Sequence, residues 1–120
     1  MSIRVGETGR RVTIITNFDM SANTSLTIYS VPPSGEGNQK SFTAVLGSAL
    51  TNVTLDDGTV VASVAANESM YYDIAATTDF SEVGSYILTG VYANTNAAPD
   101  DLLKSAPVTV SVLTDNYLAP

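Results

Sequence analysis

The feature that most constrains this chain is a two-residue alternation of apolar and polar side chains along most of its length. It is clearest in Ser25–Val31, where Leu26 and Ile28 alternate with residues that carry hydroxyl groups. Successive side chains of a β-strand point to opposite faces of the sheet, so this period is typical of strands with one buried face. The same pattern recurs in Ser41–Leu46, Ser69–Ala75, Ser85–Ala93 and Pro107–Leu113. The chain is therefore predicted to be all-β.

Shorter segments complete the predicted strands. Further strands are expected at Arg11–Thr16 and Thr59–Val64, with a short one at Ile3–Val5. Val53–Leu55 is expected to pair with Thr59–Val64, because Gly58 at the tip between them is free to take a positive φ. About seven to nine short strands with regular turn signals favour an antiparallel β-sandwich of the immunoglobulin type over a barrel. Residues 1–120 are predicted to form one such domain with short N- and C-terminal arms.

Two connections carry their own signals. Asn94–Lys104, which contains Pro99, is expected to be a long mobile connection. Thr78–Val83 is expected to form one helical turn, with Thr78 or Asp79 as its cap.

The segment Gly84-Ser85-Tyr86 stands at the start of a predicted strand. In immunoglobulin-like domains, a Tyr near the start of the sixth strand hydrogen-bonds back across the preceding turn. Tyr86 is placed to make this bond, with Gly84 in the turn; the alternative is an ordinary half-buried Tyr. Both interpretations give these residues a role in stability.

The chain contains no His and no Cys. Ser-His and Cys-His nucleophile pairs and nearly all zinc sites are thereby excluded. The acidic pairs Asp56-Asp57 and Asp100-Asp101 are adjacent on predicted turns and point apart, which favours solvation of the turn, with weak calcium binding as the alternative. The sequence predicts no catalytic residue, no cofactor and no metal site, in a protein that is not an enzyme.

The net charge is −7, from five basic and twelve acidic residues. A nucleic-acid-binding surface needs a positive stripe, so neither DNA nor RNA is an expected partner. No apolar run approaches the ~20 residues that cross a membrane, so no membrane partner is expected. The N-terminus lacks the apolar core of a signal peptide. We expect a chain that stays in the cytoplasm, is released by lysis, or is a fragment of a longer protein.

Several residues are candidates for protein contacts. Arg4, Arg10 and Arg11 lie within the first eleven positions and form either a solvated edge or a basic patch for an acidic partner. Tyr29 and Tyr71 fall on the phase opposite the core candidates, where an exposed Tyr often marks a contact. The alternative is that both faces of each sheet are partly covered.

The two ends of the chain are predicted to make intermolecular contacts. Tyr117 and Leu118 are apolar anchors in a polar tail, and Ile3 and Val5 are apolar among charges at the other end. We expect Tyr117 and Leu118 to occupy an apolar groove of a neighbouring subunit, with the arginines near an acidic surface. The alternative is that both ends fold back as edge strands of their own domain.

The order of turn and strand-start signals resembles that of small immunoglobulin-like virion proteins of tailed bacteriophages. The segments that carry the resemblance are Ile3–Gly9, Phe18–Thr24, Pro32–Gly35, Asp79-Phe80, Gly84–Tyr86 and Lys104–Pro107. The chain is similar in particular to the N-terminal domain of phage upper-baseplate proteins, which hold receptor-binding fibres. It departs from that pattern because residues 1–120 include no fibre-holding region, and no ligand site of the family is carried over.

The resemblance implies a structural accessory protein of the virion, made in the host cytoplasm. Such a protein binds other virion proteins in symmetric multiple copies, as a neck, tail or baseplate adaptor for fibre attachment or as a capsid decoration. The main alternative is an immunoglobulin-like module of a bacterial surface or adhesion protein. A small hydrolase or lyase is the least favoured interpretation.

Overall fold

The computed structural model describes residues 1–55 and 58–114. Apart from a 3-10 turn at Glu36–Asn38, the regular structure in these ranges is entirely β, which confirms the all-β prediction. The strands are β1 (Ser2–Arg4), β2 (Arg11–Ile15), β3 (Ser25–Val31), β4 (Lys40–Thr43), β5 (Val45–Leu46), β6 (Leu50–Thr54), β7 (Val60–Val64), β8 (Ser69–Asp73), β9 (Gly84–Asn94), β10 (Asp101–Lys104) and β11 (Val108–Leu113).

The strands form three sheets. The largest has the order β1-β11-β9-β3-β4, and β10 also pairs with β9. The second has the order β2-β8-β5, and the third is the β6–β7 hairpin. Among the described strand pairs, β1 and β11 are parallel and the others are antiparallel.

One core joins the two larger sheets. Side chains that are at most 1 % exposed come from the six-stranded sheet (Ile28, Leu88, Val110) and from the three-stranded sheet (Ile14, Met70). Phe42 on β4 stacks on Tyr72 of β8, with ring centroids 4.4 Å apart. The inward phase of the sequence alternation is therefore the phase that packs between the sheets.

The predicted strand Ser41–Leu46 is divided at Ala44. The Ala44 N–H donates to the Leu26 carbonyl of the six-stranded sheet at 3.0 Å, whereas Val45 pairs with Tyr71 of the three-stranded sheet. The chain thus passes from one sheet to the other at Ala44. The period-two pattern continues unbroken across this point, so the sequence gives no sign of the change of sheet.

The predicted connection Asn94–Lys104 is shorter than expected. Its last four residues, Asp101–Lys104, form β10 against β9, although all four are exposed. This strand and the division at Ala44 bring the number of strands in the described residues to eleven, above the predicted seven to nine. Residues 77–80 form hydrogen-bonded turns and no helix, so the predicted helical turn is absent there.

The N-terminal segment packs on its own domain. β1 pairs with β11, and Ile3 is 2 % exposed within the core. The Val5 N–H donates to the Leu113 carbonyl at 2.9 Å. Residues 2–4 thus form the edge strand of the alternative interpretation, and burial of Ile3 explains their order without a neighbouring subunit.

The β6–β7 hairpin forms as predicted. The Leu55 N–H donates to the Thr59 carbonyl at 2.7 Å, and Gly58 has a φ of 87°. Asp56 and Asp57 lie outside the described residues.

Candidate interaction surface

Glu7 organises two of the three predicted contact arginines. One carboxylate oxygen accepts a hydrogen bond from the backbone N–H of Arg4 at 2.8 Å. The other accepts one from the guanidinium Nη1 of Arg10 at 3.0 Å. These bonds hold the pKa of Glu7 below its usual value. Arg4 Nη1 donates to the Thr114 carbonyl at 2.9 Å. Both guanidinium groups are therefore engaged within their own domain.

Arg11 lies on the outer face of the three-stranded sheet. It binds the Asp73 carboxylate through two hydrogen bonds of 2.8 and 3.2 Å, and this contact holds the pKa of Asp73 below its usual value. Its guanidinium carbon stands 3.7 Å from the centroid of the Tyr71 ring. The structure thus brings two predicted contact residues, Arg11 and Tyr71, into one patch. The predicted basic patch is partly neutralised, since Glu7 and Asp73 face two of its arginines.

Tyr29 lies elsewhere. It is 37 % exposed on β3 in the six-stranded sheet, between Ser41 and Thr89 of the neighbouring strands. Tyr29 and Tyr71 therefore belong to the outer faces of different sheets and do not form one surface. Tyr117 and Leu118 lie outside the described residues.

Tyr86 and Gly84 hold the turn before β9. The Tyr86 hydroxyl accepts the Glu82 N–H at 2.8 Å, which is the cross-turn bond expected from the sequence, and burial raises the pKa of Tyr86. Gly84 has a φ of 135°, and a Cβ placed there would stand 2.7 Å from Pro33 Cγ. Backbone conformation and close packing both favour glycine at this position.

Asp79 is the centre of a polar network that sequence reasoning missed. Its Oδ2 accepts the Tyr72 hydroxyl at 2.6 Å and the N–H groups of Ala76 and Ala75 at 3.1 and 3.2 Å. Burial by itself raises the pKa of Asp79, but these hydrogen bonds outweigh it and hold the pKa below its usual value. The tyrosine is seven residues away on the preceding strand, so no local pattern signals the contact.

One long edge of the three-stranded sheet is open. The Arg10 carbonyl accepts the Ile74 N–H, and the Thr16 N–H donates to the Glu68 carbonyl, both at 2.9 Å. Because the backbone bonds of an antiparallel pair alternate along the strand, even-numbered residues of β2 bond to β8. The intervening backbone groups point the opposite way, from Arg11, Thr13 and Ile15. No strand of residues 1–55 or 58–114 pairs with that side of β2.

A groove of about 690 Å³ runs along this open edge. Its walls are the β6–β7 hairpin, the start of β11 and Met1. Its apolar side chains include Val53, Leu55, Val61 and Val108. The sequence predicted each of these strands, but the groove depends on how they pack, and no sequence signal identified it.

A smaller cleft of about 350 Å³ lies beside Tyr86 and Ser30. Its charged side chains already have partners: Lys40 Nζ donates to the Thr78 carbonyl, and the Glu82 carboxylate accepts the hydroxyl and N–H of Ser34. Internal bonds thus use the charged groups of the cleft, whereas the Ser30 hydroxyl is buried with no hydrogen-bond partner among the described residues. The β2 groove combines a row of outward backbone groups with apolar side chains, so it is the stronger candidate.

The described residues contain neither a cluster of metal-binding side chains nor a membrane-spanning helix. They contain no group of three or more His, Cys, Asp or Glu placed to hold a metal ion. They also contain no helix with the length and apolarity of a membrane span.

No protein-family model, curated protein or solved structure matches this chain. A function is therefore inferred from its own residues and geometry.

Proposed function

We propose that this chain is a non-enzymatic, immunoglobulin-like structural accessory protein of a tailed-phage virion. It binds other virion proteins, in symmetric multiple copies, through the groove beside β2. The observation that carries the binding role is the open edge of β2 inside an apolar groove. The virion setting is supported by the order of turn and strand-start signals in the sequence.

Strand order supports the immunoglobulin-like part of the proposal. An immunoglobulin sandwich pairs its second, fifth and fourth strands, B-E-D, opposite a sheet ordered G-F-C-C′. The orders β2-β8-β5 and β11-β9-β3-β4 correspond to these two sheets, with β6–β7 as an added hairpin between D and E. Tyr86, at the start of the strand that corresponds to F, makes the cross-turn bond of such domains.

The unpaired backbone edge of β2 supports the proposed binding of other proteins. A bare strand edge is a template for another chain, and proteins normally cover or blunt such edges. Here the edge lies beside Val53, Val61 and Val108, so an added strand would gain backbone hydrogen bonds and apolar contacts together. The only charged residue of β2, Arg11, is held at its start by Asp73.

Electron microscopy of purified particles with a label on this chain tests the virion setting. We expect the label at one symmetric position of the head, neck or tail. Unlabelled particles, together with label on the bacterial surface, would establish the adhesion-module alternative instead.

Two neighbouring valines test the surface. Val61 lines the groove, whereas Val60 is 58 % exposed and does not line it. We expect Val61→Asp to reduce incorporation into particles at least tenfold with a nearly unchanged melting temperature, while Val60→Asp incorporates normally. Equal incorporation of both variants would refute a role for the groove.

A further inference from the structure

We infer that the groove beside β2 receives residues 115–120 of a second copy of this chain as an added β-strand. This inference rests on the binding role proposed above and names the partner.

The groove requires an extended backbone. The open groups of Arg11, Thr13 and Ile15 recur at every second residue, which is a spacing of roughly 7 Å along the strand. A strand laid beside β2 meets them in register, and addition of a strand to a sheet edge is a common mode of peptide recognition. The five residues of β2 extend over roughly 17 Å.

Residues 115–120 match this edge in length and chemistry. Their sequence is Asp-Asn-Tyr-Leu-Ala-Pro, and six extended residues reach at most about 20 Å. Neighbouring side chains of a strand point to opposite faces. With Leu118 directed to the valines of the groove, Tyr117 and Asp115 point to the opposite face of the added strand.

The chain's own tail does not reach this position. Arg4 Nη1 holds the Thr114 carbonyl beside the far end of β11, where β1 already flanks Ser111–Leu113. To fill its own groove the tail would have to cross β1, return to the level of Val110 and then follow β2. That path is roughly 35 Å at ordinary strand spacings, against about 20 Å for six extended residues. The donor is therefore another copy.

Tail and groove are different surfaces, so each copy donates one tail and receives another. Such a heterologous contact builds closed rings when its rotation closes and open filaments when it does not. This gives a physical basis for symmetric multiple copies.

Sedimentation of the full-length chain tests the inference through two single variants. Thr13→Pro removes an outward N–H of an edge strand, a position where proline is tolerated. Leu118→Asp removes the apolar anchor of the tail. We expect the wild-type chain to associate with rising concentration and each variant to weaken this association at least tenfold with a retained melting temperature. Val61→Asp replaces Thr13→Pro if the proline variant does not fold.

A mixing experiment makes the test specific. The groove variant keeps its tail and the tail variant keeps its groove, so the mixture should form pairs that neither variant forms alone. Leu102→Asp, at an exposed leucine of β10, is the matched control and should associate like the wild type.

Two outcomes would overturn the inference. A chain that stays monomeric at all concentrations would do so, and so would association that Leu118→Asp leaves unchanged. If the Val61→Asp variant still fails to enter particles in those cases, the groove binds a different protein and the proposed function stands. Normal incorporation of Val61→Asp would remove the proposed function separately.

Discussion

The corner between β8 and β9 and the tip of the β6–β7 hairpin are built from similar residues, yet they differ in burial. Both connect strands of period-two sequence, and both contain Asp and a Gly with positive φ. In the corner, Asp79, Phe80 and Tyr86 are 8, 1 and 3 % exposed. In the hairpin strands, Val64 alone is buried among the described residues, and Val60 is 58 % exposed.

This difference determines what each region contributes. A hydrogen bond lost in the corner leaves a desolvated polar group, which costs much more than the bond itself contributes in water. The hairpin holds itself with its own ladder and exposes its side chains, so they can serve the groove at little cost to the fold. The corner is accordingly the stabilising region, and the hairpin is the proposed binding region.

Removal of the Asp79 carboxylate should have the largest effect. Asp79→Ala leaves the Tyr72 hydroxyl and two backbone N–H groups without their acceptor in a buried corner. We expect a loss of about 3 kcal/mol in the free energy of unfolding, measured by chemical denaturation. A loss below about 1 kcal/mol would show that water replaces the carboxylate and that the corner is no more sensitive than the hairpin.

Acid should remove part of the same contribution. The folded-state pKa of Asp79 lies below its unfolded value, so this stabilisation is present above the unfolded pKa and is lost as the pH falls through the folded pKa. We expect the melting temperatures of the wild type and Asp79→Ala to converge on acidification. Other carboxylates are common to both proteins and largely cancel in the difference. A gap that stays constant with pH would contradict the assignment.

Gly84→Ala should be the next most damaging change. The new Cβ would stand 2.7 Å from Pro33 Cγ, at a φ of 135°. Strain and overlap together should cost about 2 kcal/mol or more in the free energy of unfolding. A melting temperature like that of the wild type would mean that Pro33 moves away freely.

Tyr86→Phe should cost about 1 kcal/mol, because the Glu82 N–H loses its acceptor while the ring packing remains. Thermal melting at neutral pH measures this effect. An unchanged curve would remove the stabilising role assigned to the cross-turn bond.

Gly58→Ala should have a smaller effect than Gly84→Ala. Its φ of 87° disfavours alanine, but a Cβ at this position meets no other atom within 4 Å. The expected loss is on the order of 1 kcal/mol, from backbone strain alone. A loss equal to that of Gly84→Ala would erase the distinction between hairpin and corner.

Local residues predicted a large part of this protein. The bounds of β3 agree with Ser25–Val31, because Leu26 and Ile28 alternate with solvated neighbours along the whole strand. The hairpin at Gly58 and the bond of Tyr86 also follow from short-range rules for turns. Each of these features depends on contacts between residues close in sequence.

Other features depend on partners far away in sequence. The division at Ala44 is invisible in an alternation that both sheets share, and β10 forms because β9 is long enough to pair with it as well as with β11. The role of Asp79 requires Tyr72 across the corner. The sequence alone predicts that the arginines form a basic patch. In the structure, Glu7 binds Arg10 and Asp73 binds Arg11, which partly neutralises that patch.

The sequence by itself determined that this chain forms β-strands with one buried face, because the alternation and the turn signals depend only on residues that are close in sequence. Only the tertiary structure decided which strand edges are paired, and therefore that no strand within residues 1–55 or 58–114 pairs with one side of β2. Segments that are distant in sequence compete to pair with one another, and the chain topology and the shared core determine which strand pairs form. The groove beside β2 is a product of that selection, since its walls come from segments that are adjacent only after folding.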